Sequence, residues 1–543
     1  MRSFFLLSIL LATFALLYSF HTGHNTTPAN PSPSARPDIV LIMADDMGFS
    51  DIGCYGGEIS TPHIDQLARE GLRFTRMYNN AFCSPTRASL LTGLFPHQAG
   101  MGILAGPHPG PEGPYEGYLN DHCVTLAETL KDAGYYTAMS GKWHLGEYLP
   151  HWPVNRGFDN YFGLISGSSN YFDITKTKGG SVVTHMALDG QPYMPPKEGF
   201  YMTDAITKYA VDILAARKEK QQPCFLYVAY NAPHWPLHAL PEDIAKYKGK
   251  YMLGWDSLRS QRYRRQLRTG LFGPETKLSP RDSAVDSWDA LSAEQKEQMA
   301  SKMAVYAAQV DRMDQGIGRI LDQIKASGRE KNTIVIFLSD NGACAEGGPQ
   351  GFDKKNNGLP PGGVDSYMSY GQSWANASNT PFRYFKKWLH EGGISTPLII
   401  RWPAGISTAR QGSIVRQVAH AIDIMPTVCD VTGAAYPKQV KGKDILPAEG
   451  QSLLPAIEQG QTKPHKPLYW ALLGHKAILM DNYKLEATGK DAPWELYNVA
   501  SDRTELHDLA ATYPDRVKGM AAMWERWAKN AGVFQGQPAH QNE

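Results

Sequence analysis

Three short apolar runs in this chain each stop abruptly at polar residues. Asp38-Ile39-Val40-Leu41-Ile42-Met43-Ala44 runs into Asp45-Asp46, Cys224 to Tyr230 into Asn231-Ala232-Pro233-His234, and Thr333 to Leu338 into Ser339-Asp340-Asn341-Gly342. Each has the length of a strand and no polar alternation, the pattern of a strand buried on both faces. Before the third run, Met303, Tyr306, Val310, Met313, Ile317, Ile320 and Ile324 recur at three- and four-residue steps. That spacing predicts one amphipathic helix with a single buried stripe. Strands alternating with helices predict an α/β fold, a mostly parallel sheet sandwiched by helices. Ligands of such sheets collect beyond the carboxyl ends of the strands. Acids, an amide and a histidine are therefore aimed at one place.

Beyond about Tyr436 the pattern changes. Leu468 to Leu473 and Lys476 to Met480 read as short strands, and Pro514 to Asn530 as a terminal helix. The expected organisation is a catalytic domain over 38–436 and a smaller antiparallel sheet with a helix over 437–543. At the other end, Arg2 precedes an apolar run from Phe4 to Phe20. Residues 1–24 suit a secretory signal or an uncleaved anchor, and the Pro/Ser-rich 25–37 an extended linker. Export, to the periplasm or outside the cell, is the expectation. Two stretches rich in Gly, Pro and aromatics, Gly102 to Asp121 and Glu346 to Trp374, are expected to wall the mouth of a site. Their Tyr115, Tyr118, Tyr367, Tyr370 and Trp374 could stack on a phenyl ring or a sugar face, or pack the loops themselves.

Composition narrows the classes. A chain of 543 residues with 42% hydrophobic and 20% charged content is globular and too long for one core. A net charge of +1 gives no support to a nucleic-acid partner. The basic run Arg259, Arg262, Arg264, Arg265 and Arg268 reads as the wet face of a helix. Six cysteines are too few for a disulfide scaffold, and none has zinc-ligand spacing.

The candidate chemistry begins with Asp45, Asp46, Asp340 and Asn341, four oxygen donors at two strand ends. Packed carboxylates repel unless a cation neutralises them. All-oxygen ligation favours calcium or magnesium over zinc. Gly141-Lys142-Trp143-His144 should place Lys142 and His144 on one side of a short extended piece. His234 sits at a strand end, and Arg383-Tyr384-Phe385-Lys386, leading to Glu391-Gly392-Gly393, supplies a further lysine. Cys83-Ser84-Pro85-Thr86-Arg87 leads into Ala88 to Gly93 at what reads as a helix start. Because proline disfavours helix in the residue before it, Cys83 is expected just ahead of the first turn, facing the dipole's positive end and Arg87.

Taken in order, the Asp-Asp strand end, C-x-P-x-R…L-L-T-G, G-K-W-H-L-G, A-P-H-W-P, S-D-N-G and R-x-x-K…E-G-G resemble the type I sulfatases, bacterial arylsulfatases in particular. The resemblance implies an alkaline-phosphatase-like fold and hydrolysis of aryl or carbohydrate sulfate esters. It also implies that a separate maturating enzyme oxidises Cys83 to formylglycine (3-oxoalanine). Asp45, Asp46, Asp340, Asn341 and the modified Cys83 would hold one calcium. Cys83, Arg87, Lys142, His144, His234 and Lys386 would be the catalytic groups: the hydrated aldehyde attacks sulfur, His234 helped by Lys386 serves the leaving oxygen, and His144 deprotonates the remaining hydroxyl. A phosphatase or phosphodiesterase of the alkaline-phosphatase superfamily would instead carry Ser or Thr with zinc-binding histidines. A non-catalytic glycan-binding relative would have lost some of the charged groups, and none is missing.

Overall fold

Eleven strands form the central sheet of the computed structural model, which describes residues 36–106, 110–176, 185–461 and 463–535. In chain order they are β1 (Asp38–Ala44), β2 (Leu72–Tyr78), β3 (Tyr136–Gly141), β4 (Asn160–Leu164), β5 (Met186–Leu188), β6 (Gln191–Pro192), β7 (Cys224–Ala229), β8 (Thr333–Ser339), β9 (Ser395–Arg401), β10 (Ile414–Val415) and β11 (Ala419–His420). The spatial order is β10-β2-β9-β8-β1-β7-β3-β4-β5-β6, with β11 also on β2. The five central strands β8-β1-β7-β3-β4 are parallel, and β9 runs antiparallel between β8 and β2. This is the mixed, mostly parallel sheet that the buried runs predicted. The apolar run Phe4 to Phe20 and most of the linker lie outside the described residues. No described helix is long and apolar enough to cross a membrane.

The pleat of β1 explains its unbroken hydrophobicity. Val40, Ile42 and Ala44 enter one core cluster, while Ile39, Leu41 and Met43 enter the other, so both faces of the strand are buried. The first face is covered by the helix Ala293–Ala326, whose predicted stripe from Met303 to Ile324 is wholly buried. The opposite face is covered by the helices Cys83–Thr92, Leu126–Asp132 and Ile424–Thr432.

After a small hairpin, β12 (Gln439–Val440) with β13 (Lys443–Asp444), comes an antiparallel sheet of β14 (Leu468–Leu472), β15 (His475–Met480), β16 (Tyr483–Ala487) and β17 (Glu495–Asn498). The helix Pro514–Asn530 packs Met520, Trp524 and Ala528 onto Ile478, Leu485 and Leu496 of this sheet. Its other face meets the main body, where Trp470 Nε1 donates to the Asn79 carbonyl at 2.6 Å.

One expectation needs correction. Arg264 and Arg268 are exposed on the helix Gly254–Arg268, but Arg259 and Arg262 are buried. Arg262 reaches inward to Asp51 at 2.6 Å and Glu58 at 2.8 Å. The acids that receive it lie about two hundred residues away in sequence, so charge spacing along the helix gave no sign of them. Of the two roles left open for the mouth-loop aromatics, most of them take the packing role. Trp374 is 0% exposed, edge-on to Trp255, and donates to the Met299 carbonyl. Tyr370 stacks on Tyr306, Tyr367 is buried beside Trp235, and Tyr115 donates to the Val533 carbonyl. All six cysteines are unpaired.

Candidate active site

Four neighbouring parallel strands deliver the site. Asp45 and Asp46 follow β1, Asp340 and Asn341 follow β8, His234 lies past β7, and Lys142 and His144 follow β3. Backbone bonds knit these ends together: Asp340 N–H donates to the Ala44 carbonyl, Asp45 N–H to Ala232 and Lys142 N–H to Ala229. Asp46 turns with φ +66°, a left-handed conformation that a short polar side chain tolerates. His144 also has a positive φ, +54°. The Lys142–His144 piece runs on from β3, with Lys142 and Trp143 N–H donating to the Ala229 and Leu164 carbonyls, and becomes left-handed only at His144; both side chains enter the site.

Cys83 is the first residue of the helix Cys83–Thr92, with extended Phe82 as its cap. It sits inside the first turn and not ahead of it. One ligand atom each from Asp45, Asp46, Cys83 and Asp340 lie within 4.8 Å of one another. Cys83 Sγ is 3.9 Å from Asp46 Oδ1, and Asn341 Nδ2 donates to that oxygen at 2.7 Å.

Basic groups enclose this cluster. Lys142 Nζ is 2.6 Å from Asp45 Oδ2, and Lys386 Nζ is 3.0 Å from Asp46 Oδ2. Arg87 donates through Nη2 and Nε to Asp340 Oδ2 and through Nη1 to the Lys142 carbonyl. His234 Nε2 stands 3.4 Å from Asp46 Oδ2, and its Nδ1 donates to the Trp235 carbonyl at 2.6 Å. All ten residues singled out from the sequence meet here, and all are buried.

Burial dominates the electrostatics. It works to raise Asp46, but Lys386, His234 and Lys142 hold that carboxyl well below the usual range. Burial, then repulsion from Asp45, pushes Asp340 up to about 7. The Cys83 thiol is driven far up by burial, which Lys142 and Lys386 only partly offset. Burial lowers His234 to about 4, and burial followed by Lys142 puts His144 well below its ordinary value, so both rings are neutral at pH 7. Asp45 Oδ1 and Asn341 Oδ1 are buried without a hydrogen-bond partner. Unpartnered buried oxygens beside a strained acid cluster are what a hard cation satisfies. A second acidic grouping, His390 with Glu486 and Glu505, already holds the Lys484 ammonium, 2.5 Å from Glu505 and 3.4 Å from Glu486.

The family model for sulfatases matches residues 37–434, most of the chain. The chain belongs to the sulfatase family. A second model, for the C-terminal part of N-sulphoglucosamine sulphohydrolase, matches 381–526. An uncharacterized sulfatase of Schizosaccharomyces pombe is 37% identical, covering 92% of this chain and 95% of that protein. An arylsulfatase of Klebsiella aerogenes is also 37% identical, over 78% of this chain and 93% of its own length. A crystal structure of Ps i-CgsB in complex with k-i-k-neocarrahexaose superposes with TM-score 0.66 at 26% identity, covering 91% of this chain and 93% of that one. This sulfatase is thus a sulfuric ester hydrolase with an alkaline-phosphatase-like fold.

Some residues of the sulfatase's site carried no signal in its sequence. Gly167 lies against the His144 ring so closely that a Cβ there would be 2.6 Å from Nε2. Glu346 accepts from Trp235 Nε1 at 2.7 Å and pairs with Lys387 at 3.3 Å, bracing the segment that carries Lys386. An isolated glycine or glutamate in a long loop has no pattern to mark it.

Proposed function

We propose that this sulfatase cleaves aryl or carbohydrate sulfate esters with Cys83 converted to formylglycine and one calcium held by Asp45, Asp46, Asp340, Asn341 and the modified Cys83. The observation that carries the reading is the convergence of Cys83 with these acids inside a ring of Arg87, Lys142 and Lys386. As a thiol, Cys83 is held protonated by burial, and a protonated thiol is a poor nucleophile. Conversion to an aldehyde supplies a hydrated carbon whose hydroxyl can attack sulfur and whose second hydroxyl can later expel sulfate. Calcium, when bound, supplies positive charge to the sulfate oxygens.

The chain's own groups account for the rest. The Lys142 and Lys386 ammoniums flank the cluster on opposite acids, placed to bind sulfate oxygens in a water-poor site where such contacts are strong. Arg87 is committed to Asp340 and the Lys142 carbonyl, so it orients these groups. The Nδ1 bond of His234 fixes its tautomer and leaves Nε2 turned inward. It serves the leaving oxygen once it has taken a proton, which an incoming anion favours. His144, neutral with Nδ1 unpartnered, is suited to accept a proton. The reading includes export, supported by the charged and apolar first twenty residues, and a formylglycine-generating enzyme as maturation partner.

The test is expression with such an enzyme, a mass spectrum of the peptide spanning Cys83, and release of 4-nitrophenol from its sulfate and phosphate esters. Carbonyl oxygen in place of sulfur, strong preference for sulfate and no turnover by Cys83→Ala are expected. Turnover retained by Cys83→Ala overturns the proposal.

A further inference from the structure

A cavity of about 470 Å³ opens between Gly102, Ile103 and Tyr115, the β14–β15 hairpin and the C-terminal helix. That volume lies in the range of small-ligand sites. His97 lies in its wall, 3% exposed, with Nδ1 lacking any hydrogen-bond partner. Burial keeps the ring neutral, lowering it to about 4. Beside it the wall is largely apolar, with Tyr115 edge-on to His97 and Phe534 62% exposed. Lys476, Lys490 and Lys529 also line the cavity, against the acids Asp491 and Glu525.

Two walls of the cavity run directly into the reaction centre. Ile103 precedes by two residues Ala105, whose N–H donates to Ser84 Oγ at 3.1 Å, and Ser84 follows Cys83. On the other wall the His475 ring is 5.5 Å from Trp388, two residues after Lys386. Each chain link spans at most about 7 Å. A ligand in the cavity therefore lies beside, and outside, the buried sulfate pocket.

We infer that this cavity is a subsite for a flanking anionic sugar, sulfated or carboxylated, of the glycan whose sulfate ester is cleaved; the inference rests on the sulfate-ester reading above. The apolar wall with the exposed Phe534 ring takes a sugar face, and the lysines attract the anionic group. An aryl sulfate, having no second unit, leaves the cavity empty.

The full chain carrying Cys83→Ala, which cannot turn over, is titrated by calorimetry with carrageenan, chondroitin sulfate and heparan sulfate hexasaccharides in the presence of calcium. At least one should bind tenfold or more tighter than its terminal monosaccharide sulfate. That advantage should be lost with added Lys490→Glu and Lys529→Glu, and separately with Phe534→Ala, at an exposed position. In the matured enzyme the same changes should lower the ratio of kcat/KM on the hexasaccharide to that on 4-nitrophenyl sulfate at least tenfold. No hexasaccharide advantage, or an unchanged ratio in all variants, overturns the subsite. Absence of 4-nitrophenyl sulfate turnover by the matured parent overturns the activity, while the titration still reads the cavity.

Discussion

Arg262 Nη1 lies 2.6 Å from Asp51 Oδ1, and neither side chain reaches solvent. Asp51 also accepts from the Gly48 N–H and the Tyr306 hydroxyl, so this pair anchors the turn that follows the acidic ends of β1. Burial works to raise Asp51 even with the guanidinium beside it. Arg262→Met keeps the bulk and removes the charge. Breaking one side of a buried pair costs about 3–5 kcal/mol. A urea midpoint lowered accordingly is expected; a loss under about 1 kcal/mol would show that Asp51 simply takes up a proton.

Chelation should both silence and destabilise the sulfatase. Asp45, Asp46 and Asp340 crowd together, with Asp45 Oδ1 and the neighbouring Asn341 Oδ1 unpartnered, and a bound divalent ion relieves that repulsion. Calcium at a hundredfold excess over its dissociation constant stabilises by about 2.7 kcal/mol. EDTA should lower the melting temperature and abolish 4-nitrophenyl sulfate turnover, and calcium should restore both. Restoration by zinc alone would refute the oxygen-ligand assignment.

Gly167→Ala tests the placement of His144. The new Cβ would stand 2.6 Å from Nε2 and Cε1 of that ring, which must then shift. Misplacement of a reacting group by about 1 Å costs on the order of a hundredfold. A kcat reduced to that extent, with the denaturant midpoint near that of the parent, is the expected result. Undiminished turnover would remove His144 from proton transfer.

His390 should tie stability to alkaline pH. Burial alone would lower it, but Glu486 at 2.8 Å outweighs that and raises it to about 9. Because the folded value exceeds the ordinary 6.5, the pair's stabilisation is complete below about pH 6.5 and is lost as pH rises through 9. The loss should amount to about 3 kcal/mol. Denaturation measured from pH 6 to 10 should show this limb, and His390→Gln should flatten it. An equal slope in the variant would assign the limb to another group.

Much of the site was legible because a parallel sheet converts local patterns into one location. The run Ile39 to Ala44 forms a strand, whatever its neighbours, and Asp45-Asp46 must then emerge at its carboxyl end. The same holds for β7 with His234 and for β8 with Asp340 and Asn341. Cys83, Arg87, Lys142 and Lys386 were found by their motifs, since each chemical group needs fixed neighbours in sequence. The sequence went wrong where partners are remote. Arg262 looked solvent-facing because Asp51 and Glu58 are far along the chain; for Trp374 the sequence left packing and stacking on a ligand both open, because Trp255 and Met299 are also remote.

The sequence alone therefore determined the strands, the order of the reactive residues and the chemistry they can share, because propensity, periodicity and short motifs act over a few neighbouring residues. Tertiary structure decided which charges are buried, the left-handed turns at Asp46 and His144, and the cavity beside His97. Those features arise where segments distant in sequence pack together, and no local pattern records the partner.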